Sequence, residues 1–160
     1  MYDFKPADPS DKQVLYDDLL SAASALTDGE PDGVANMANV AALLWEFLPD
    51  CNWTGFYRMI GGELVIGPFV GRPACIRIAV GQGVCGAAAR DAASQLVPDV
   101  HAFTGHIACD GDTRSELVVP VMRDGAVIAV IDLDSPSPAR FDKTDQTGIE
   151  ALAALLSARI

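Results

Sequence analysis

Apolar residues recur at helical spacing in two segments near the start of the chain. Ser10 and Gln13 form a capping-box signal, and the apolar positions that follow lie three and four residues apart until residues 28–29. A second run of the same kind ends at residues 49–50, and Trp45 beside it is interpreted as a packing residue. The spacing predicts two amphipathic helices. Their apolar stripes are Leu15, Leu19, Ala22, Leu26, Val34, Met37, Ala41, Leu44 and Leu48.

From Trp53 onward the pattern changes to aromatic and β-branched residues. WTGFYRMI and ELVIGPFV flank a Gly-Gly pair, and SELVVPVM and AVIAVIDLD flank an Asp-Gly pair, so two antiparallel hairpins are predicted. Short strands are predicted at residues 76–80 and 95–97, with a short helix in the Ala-rich stretch between them. Phe141 and Asp142 then precede a closing helix. Its apolar stripe is Ile149, Leu152 and Leu156.

This order of elements predicts an α+β fold, with the N- and C-terminal helices on one side of an antiparallel sheet. Residues 1–160 are expected to form one domain, since cores form at roughly 100–200 residues. The stretch PDVHAFTGHIACDGDTR at residues 98–114 has no period and is too long for a plain connection, which predicts a functional loop. It contains His101, His106 and Cys109, and neither histidine is assigned a proton-transfer role.

The chain is strongly acidic, with 22 Asp and Glu residues against 11 Lys and Arg residues and a net charge of -11. Half of its residues are hydrophobic, so it can bury a core and still carry this charge. Because an acidic surface repels phosphate groups and anionic lipid headgroups, neither nucleic acid nor a membrane is an expected partner. The N-terminal MYDFKPADPSDK has neither a basic nor an apolar segment, and a cytoplasmic location is expected.

The four cysteines, Cys51, Cys75, Cys85 and Cys109, form no CxxC pair, so no zinc site is expected. Because nothing in the sequence indicates secretion, reduced reactive thiols are favoured over structural disulfides. For Cys51, at a helix end, the favoured interpretation is a small buried hydrophobic residue. Cys85 opens the predicted short helix, where a helix N-terminus would favour its thiolate.

Three carboxylates are predicted to meet at the end of the last hairpin. Asp132 and Asp134 in IDLD are two residues apart, so both side chains emerge on one face of a continuous strand. Glu116 in SELVV belongs to the strand that pairs with theirs. Because crowded carboxylates cannot all ionise at low cost, the pKa of at least one is expected to rise. That would leave a neutral acid able to donate a proton.

Six motifs are distributed along the chain: NWTGFY, GPFVGRPACIRI, GVCGAAA, PDVHAFTGHIACD, SELVVPV and IDLDSP. Together they resemble the free methionine-(R)-sulfoxide reductases, which are GAF-domain proteins. The resemblance runs from about Ser10 to the C-terminus in one register, and GHIACD and IDLDSP are uncommon in sensory GAF domains. It implies a GAF-type domain and an enzyme that reduces free methionine-(R)-sulfoxide to methionine.

The resemblance also implies roles for three cysteines. Cys109 in GHIACD is similar to the nucleophile of the family, and Cys75 in RPAC is similar to the resolving thiol. Cys85 in GVCG matches a further cysteine that either relays the disulfide or offers an alternative resolving partner, and the sequence leaves both open. The implied cycle passes through a sulfenic acid and a disulfide that thioredoxin reduces, with no metal or organic cofactor.

The same resemblance assigns Glu116, Asp132 and Asp134 to substrate binding and proton delivery, and Trp53 and Tyr57 to walls around the substrate methyl group and sulfur. Elementary chemistry agrees with these roles. Aromatic faces suit an apolar sulfur-containing group, and an acidic cluster suits the ammonium group of a free amino acid. The resemblance further suggests a homodimer.

Two other classes of function use some of these residues. A ligand-binding GAF sensor would keep the pocket without turnover, although three acids would repel an anionic nucleotide and no output domain is expected in a chain of this length. A peroxide-responsive thiol switch would keep the cysteines but has no use for the acids. Turnover of free methionine sulfoxide separates both alternatives from the reductase.

Overall fold

The computed structural model describes residues 4–105 and 111–160. Within these ranges the chain alternates between helices and the strands of an antiparallel sheet. No helix there is both long enough and apolar enough to cross a membrane. The elements in chain order are α1 Lys12–Thr27, α2 Gly33–Phe47, β1 Trp53–Ile60, β2 Glu63–Gly71, β3 Arg77–Ala79, α3 Gly83–Asp91, β4 Gln95–Val97, a 3₁₀ turn Val100–Ala102, β5 Ser115–Arg123, β6 Ala126–Ser135 and α4 Lys143–Leu156.

The strands form a six-stranded sheet in the order β3-β2-β1-β6-β5-β4. Every neighbouring pair in it is antiparallel. The first and last strands along the chain, β1 and β6, pair with each other at the centre of the sheet. Each has its hairpin partner on its other side, β2 for β1 and β5 for β6. This confirms both predicted hairpins and the α+β fold.

The main core lies between one face of the sheet and the helices α1, α2 and α4. Their predicted apolar stripes supply fully buried residues such as Leu19, Leu44 and Leu152, which pack against Phe56, Ile131 and other inward residues of the strands. Burial of each such side chain contributes about 1.5–3 kcal/mol. Helices at both ends of the chain therefore share one side of the sheet, as predicted.

The second face of the sheet is covered by α3 and by loops, and it forms a smaller core. Val84, Cys85 and Ala88 of α3 pack here against alternate residues of β1, β5 and β6. The close approach of α3 to β3 depends on Gly86, because a Cβ atom at this position would lie 2.5 Å from the carbonyl oxygen of Ala79. All the predicted site residues in β1, β5 and β6 lie on this face.

Three details of the helices differ from the sequence predictions. The N-cap of α1 is Asp11, whose side chain accepts hydrogen bonds from the backbone of Gln13 and Val14, while the Ser10 hydroxyl donates to Asp8.

Trp45 and Val34 of α2 are 40% and 49% exposed, so neither is a packing residue. Since successive helical residues are about 100° apart, the buried stripe around Leu44 turns Trp45 toward solvent. The predicted cap of α4 by Asp142 is confirmed, with a complete capping box.

Candidate active site

Antiparallel register brings the three predicted carboxylates together on the α3 face of the sheet. Asp134 of β6 pairs with Trp53 of β1 on one side and with Glu116 of β5 on the other. Asp132 lies two residues earlier on β6 and is opposite Gly55. Because side chains alternate between the faces of a strand, the acids and Trp53 all point toward α3. The predicted convergence of the acids is therefore confirmed.

The centre of this site is a buried cluster of one thiol and two carboxylates. Glu116, Asp132 and Cys85 are 7%, 6% and 4% exposed, and Sγ of Cys85 lies 4.0 Å from Oε1 of Glu116. Hydrogen bonds also join Asp132 to Cys85 and to Glu116. Oδ1 of Asp132 is buried and has no hydrogen-bond partner among the described residues. A buried acceptor of this kind is costly unless a ligand satisfies it.

The carboxyl groups of Glu116 and Asp132 both have raised pKa values. Burial raises the pKa of Glu116 well above its usual value, and the nearby charges of Asp132 and Asp134 raise it further. Burial also raises the pKa of Asp132, to about 6, although hydrogen bonds from Cys85 and Glu116 oppose this rise. Of the two, Glu116 is therefore the carboxyl that burial and like charge favour in its protonated form, and Asp132 accepts a hydrogen bond from it.

Cys85 does not carry the thiolate that its place near a helix start predicted. Burial raises the pKa of its thiol well above the usual value, and the charges of Asp132 and Glu116 add to the rise. A helix N-terminus favours an anion by about 0.3–1 kcal/mol, which is too little to offset full burial beside carboxylates. Cys85 is therefore a neutral thiol in the wall of the site.

Three stacked aromatic rings form a wall beside the acids, on the same face of the sheet. The rings of Trp53 and Tyr57 are stacked with centroids 5.8 Å apart, and those of Trp53 and Phe69 are 5.2 Å apart. The rings can approach because Gly55, between Trp53 and Tyr57 on the same face, has no side chain. Nε1 of Trp53 donates to the carbonyl of Arg72, and the Tyr57 hydroxyl donates to the carbonyl of Cys75.

Phe69 is a wall residue that the sequence did not predict. A regular hairpin closed by residues 61–62 would place Pro68 opposite Gly55. A β-bulge between Gly55 and Tyr57 instead pairs Phe69 with Gly55 and turns its ring toward Trp53. The only signal in the sequence was an aromatic residue in GPFVG on the strand paired with NWTGFY.

The four cysteines have different surroundings. Cys75 is half-buried and disulfide-bonded. Cys51 and Cys85 carry free thiols. Cys51 packs against the main core, and burial raises its pKa to about 12, in agreement with its interpretation as a small packing residue. Cys109, the predicted nucleophile, lies outside the described residues, as does His106.

The described part of the 98–114 loop is attached to the rest of the site at its C-terminal end. Nδ2 of Asn52 donates to Oγ1 of Thr113 at 3.1 Å, and Arg72 forms an ion pair with Asp112 at 2.9 Å. The backbone amide of Asn52 also donates to the carbonyl of Asp134. Asn52 therefore joins the loop to the carboxylate strand, a role for which the sequence gave no signal beyond its place in NWTGFY. His101 is exposed in the 3₁₀ turn.

Cys85, Glu116 and Asp132 could also offer three donor atoms to one cation, since a ligand atom of each lies within 4.8 Å of the others. Sequence spacing does not indicate this triad because its members come from three different elements. The set contains no histidine, and hydrogen bonds among its own members account for its arrangement. That the protein uses no metal stays a prediction.

Comparison with known proteins agrees with this geometry. A family model described as a GAF domain matches residues 37–160. The chain is 46% identical over 145 residues to the free methionine-R-sulfoxide reductase of Escherichia coli, covering 91% of this chain and 88% of that protein. It is 42% identical over 154 residues to the enzyme of the same name from Saccharomyces cerevisiae, covering 91% and 86%.

A solved structure gives the same relationship in three dimensions. The free methionine-R-sulfoxide reductase of Neisseria meningitidis in complex with its substrate is 44% identical and superposes with a TM-score of 0.90, covering 94% of this chain and 90% of that one. The resemblance found in the sequence motifs is thus confirmed over nearly the whole length. With this identity and this fold, the protein belongs to the free methionine-R-sulfoxide reductase family of GAF-domain enzymes.

Proposed function

We propose that this protein reduces free methionine-(R)-sulfoxide to methionine through a cysteine nucleophile and a disulfide. The observation that carries the proposal is the buried Glu116–Asp132 pair beside the aromatic wall of Trp53, with the disulfide-bonded Cys75 held by Tyr57. This combination provides a proton donor, an anionic receptor and a redox-active sulfur on one face of the sheet. The names of the Escherichia coli and Saccharomyces cerevisiae relatives give free methionine-R-sulfoxide as their substrate.

The acids and the rings divide the recognition of the substrate between them. Asp132 and Asp134 provide negative charge for the substrate ammonium group, and the unpaired Oδ1 of Asp132 gains a hydrogen-bond donor when that group binds. The rings of Trp53, Tyr57 and Phe69 pack against the methyl group and sulfur. A peptide-bound residue lacks the free ammonium group, so this division favours free methionine sulfoxide.

In the proposed reaction the thiolate of Cys109 attacks the sulfoxide sulfur while the carboxylic acid of Glu116 protonates the oxygen. The S–O bond breaks, the substrate sulfur gains two electrons, and the products are methionine and a sulfenic acid on Cys109. The Cys75 thiol then condenses with the sulfenic acid, so that an S–S bond forms and water leaves. In support, Cys75 is disulfide-bonded while Cys51 and Cys85 are free.

The cycle closes when an external dithiol reduces the disulfide, and thioredoxin is the reductant we propose. A relay through Cys85 is disfavoured because its sulfur is buried and neutral, whereas thiol–disulfide exchange requires an accessible sulfur. We assign Cys85 to the wall of the site, where it contacts Glu116. The proposed chemistry uses no metal or organic cofactor.

The proposal is tested by incubating the protein with dithiothreitol and free methionine sulfoxide and measuring methionine by chromatography. Consumption of the R epimer alone, with loss of turnover in Cys109→Ser, is the expected result. Substrate binding without product would indicate the ligand-binding sensor, and thiol oxidation by peroxide without methionine formation would indicate the thiol switch. A methionine sulfoxide residue within a peptide serves as the control substrate and should not be reduced.

A further inference from the structure

Cys75 lies in a segment whose outer side chains are exposed, while Ala74 and Cys75 itself are half-buried and pack against the smaller core. Within residues 72–77, Pro73 and Ile76 are exposed, and the side chains of Arg72 and Arg77 are 70% and 57% exposed. Ile76 is 69% exposed, which is the largest value for a large hydrophobic residue in the described ranges. An apolar side chain that stays in water next to a redox-active sulfur is a candidate contact for another molecule.

The backbone of this segment is held in place, so the exposure of Ile76 does not come from a loosely attached loop. Nε1 of Trp53 donates to the carbonyl of Arg72 at 3.2 Å, and the Tyr57 hydroxyl donates to that of Cys75 at 3.0 Å. The amide of Ile66 on β2 donates to the carbonyl of Ile76 at 3.0 Å. Three fixed carbonyls therefore present the outer side chains in a defined arrangement, which lowers the entropy cost of binding.

The charge of the segment is opposite to that of the chain as a whole. The protein carries a net charge of -11, whereas residues 72–77 contain two arginines and no acid. The ion pairs of Arg72 with Asp112 and of Arg77 with Glu63 are at the surface, where such pairs contribute little and exchange readily. An acidic partner would be repelled by most of the surface but attracted to this segment.

We propose that residues 72–77, with Ile76 at the centre, form the docking surface for an acidic protein dithiol reductant. Ile76 contacts the apolar surroundings of the reductant's nucleophilic cysteine, and the two arginines face carboxylates at its rim. The inference rests on the proposed function, because that cycle requires a reductant to reach the disulfide of Cys75. Beyond that cycle, Sγ of Cys75 is the sulfur that the reductant attacks, and residues 72–77 are the ones that it contacts.

The exchange proceeds in two balanced steps. A thiolate of the reductant attacks Sγ of Cys75, so that an intermolecular S–S bond forms, the S–S bond of Cys75 breaks and its former partner leaves as a thiolate. The second thiol of the reductant then attacks the intermolecular bond and releases Cys75. The reductant loses two electrons and two protons, which the two cysteines of the enzyme accept as thiols.

The experiment compares two reductants on Ile76→Asp. With Escherichia coli thioredoxin, NADPH and thioredoxin reductase, the KM for thioredoxin should rise by about tenfold or more, as expected for a central apolar contact replaced by a charge. With dithiothreitol, which needs no docking surface, turnover should be unchanged. Val34→Asp is the matched control, because Val34 is also exposed but lies on α2, and its KM for thioredoxin should stay at the wild-type value.

A KM for thioredoxin that is unchanged in Ile76→Asp would overturn the docking surface, and so would an equal loss with both reductants. Absence of methionine formation by the wild-type protein with dithiothreitol would instead refute the proposed function. The charge contribution is tested with Arg77→Ala, which should raise the KM for thioredoxin, and with Arg77→Lys, which should restore it in part. No effect of Arg77→Ala would remove the arginines from the proposal.

The attacked sulfur is identified by trapping. Thioredoxin whose second active-site cysteine is replaced by serine should form a stable intermolecular disulfide with the oxidised protein, and peptide mapping by mass spectrometry should locate it on Cys75. An adduct on Cys51 or Cys85 would contradict the assignment. The trapped yield should fall in Ile76→Asp and not in Val34→Asp.

Discussion

Glu116 on β5 and Asp134 on β6 are register partners, and Asp132 shares their face of the sheet two residues earlier on β6. This pairing lays three acids side by side beneath α3, where burial and like charge raise the pKa of Glu116 well above its usual value and burial raises that of Asp132 to about 6. A donor and an acceptor thus arise from two ordinary carboxylic acids.

Glu116→Gln should lower kcat with dithiothreitol by about 10²-fold or more, because the amide cannot protonate the sulfoxide oxygen. The acid form of Glu116 exists below its raised folded-state pKa, so wild-type activity should decline as pH rises through that value. The variant's residual activity should lack this decline. Glu46→Gln, at an exposed position of α2, is the control. An unchanged kcat in Glu116→Gln would exclude the proton-donor role.

The cysteine variants should separate formation of methionine from recycling. Cys75→Ser, assayed with the thioredoxin system, should release about one methionine per protein and then stop, because the sulfenic acid has no resolving thiol. Cys109→Ser should release none. Cys51→Ala should behave like the wild type, since Cys51 only packs against the core. Rapid-quench measurement of methionine per site checks all three, and repeated turnover by Cys109→Ser would contradict the scheme.

The stability of the empty protein should depend on pH through Asp132. Its pKa is about 6 in the folded protein against an ordinary value of 3.8, so between these values the folded state keeps a proton that the unfolded chain has released. The contribution of Asp132 to the free energy of unfolding is fully present below pH 3.8 and is lost as pH rises through about 6. Between about pH 5 and pH 7, Tm should therefore fall more in the wild type than in Asp132→Asn. Asp17→Asn, at an exposed position of α1, should keep the wild-type slope.

Phe69→Leu should raise the KM for methionine sulfoxide about two- to tenfold, because one stacked ring of the wall is lost. The dithiol-dependent step should be unaffected, since Phe69 takes no part in the thiol chemistry of the proposed scheme. Met59→Leu, on β1 and packed against the same smaller core, is the control. An unchanged KM in Phe69→Leu would mean that this ring supports Trp53 without contributing to binding.

Gly148→Ala should destabilise the protein by about 1–3 kcal/mol without changing the site. A Cβ atom at this position would lie 2.3 Å from the ring of Tyr16, so α1 and α4 would have to separate. The better helix propensity of alanine recovers only about 1 kcal/mol of this loss. Urea unfolding measures the difference, with Ala151→Ser at an exposed position of α4 as a control that should stay near the wild type.

The local patterns of the sequence were sufficient to predict most of the fold. Alternation from Trp53 onward and the Gly-Gly and Asp-Gly turns predicted both hairpins, and Asp142 was correctly identified as the cap of α4. The convergence of Glu116, Asp132 and Asp134 was predictable because a period of two and a tight turn together determine register. The motifs were also sufficient to identify the family.

The features that could not be predicted from the sequence are those that depend on where each element packs. The bulge that brings Phe69 to Trp53, the exposure of Trp45 and the neutral thiol of Cys85 all depend on neighbours distant in the chain. A β-bulge has no strong local signal, and the burial that sets a pKa exists only when α3 covers the sheet. The sequence by itself therefore determined the elements, the two hairpins and the chemical groups. Only the tertiary structure decided which groups are enclosed and protonated, because enclosure and charge are properties of the space between elements.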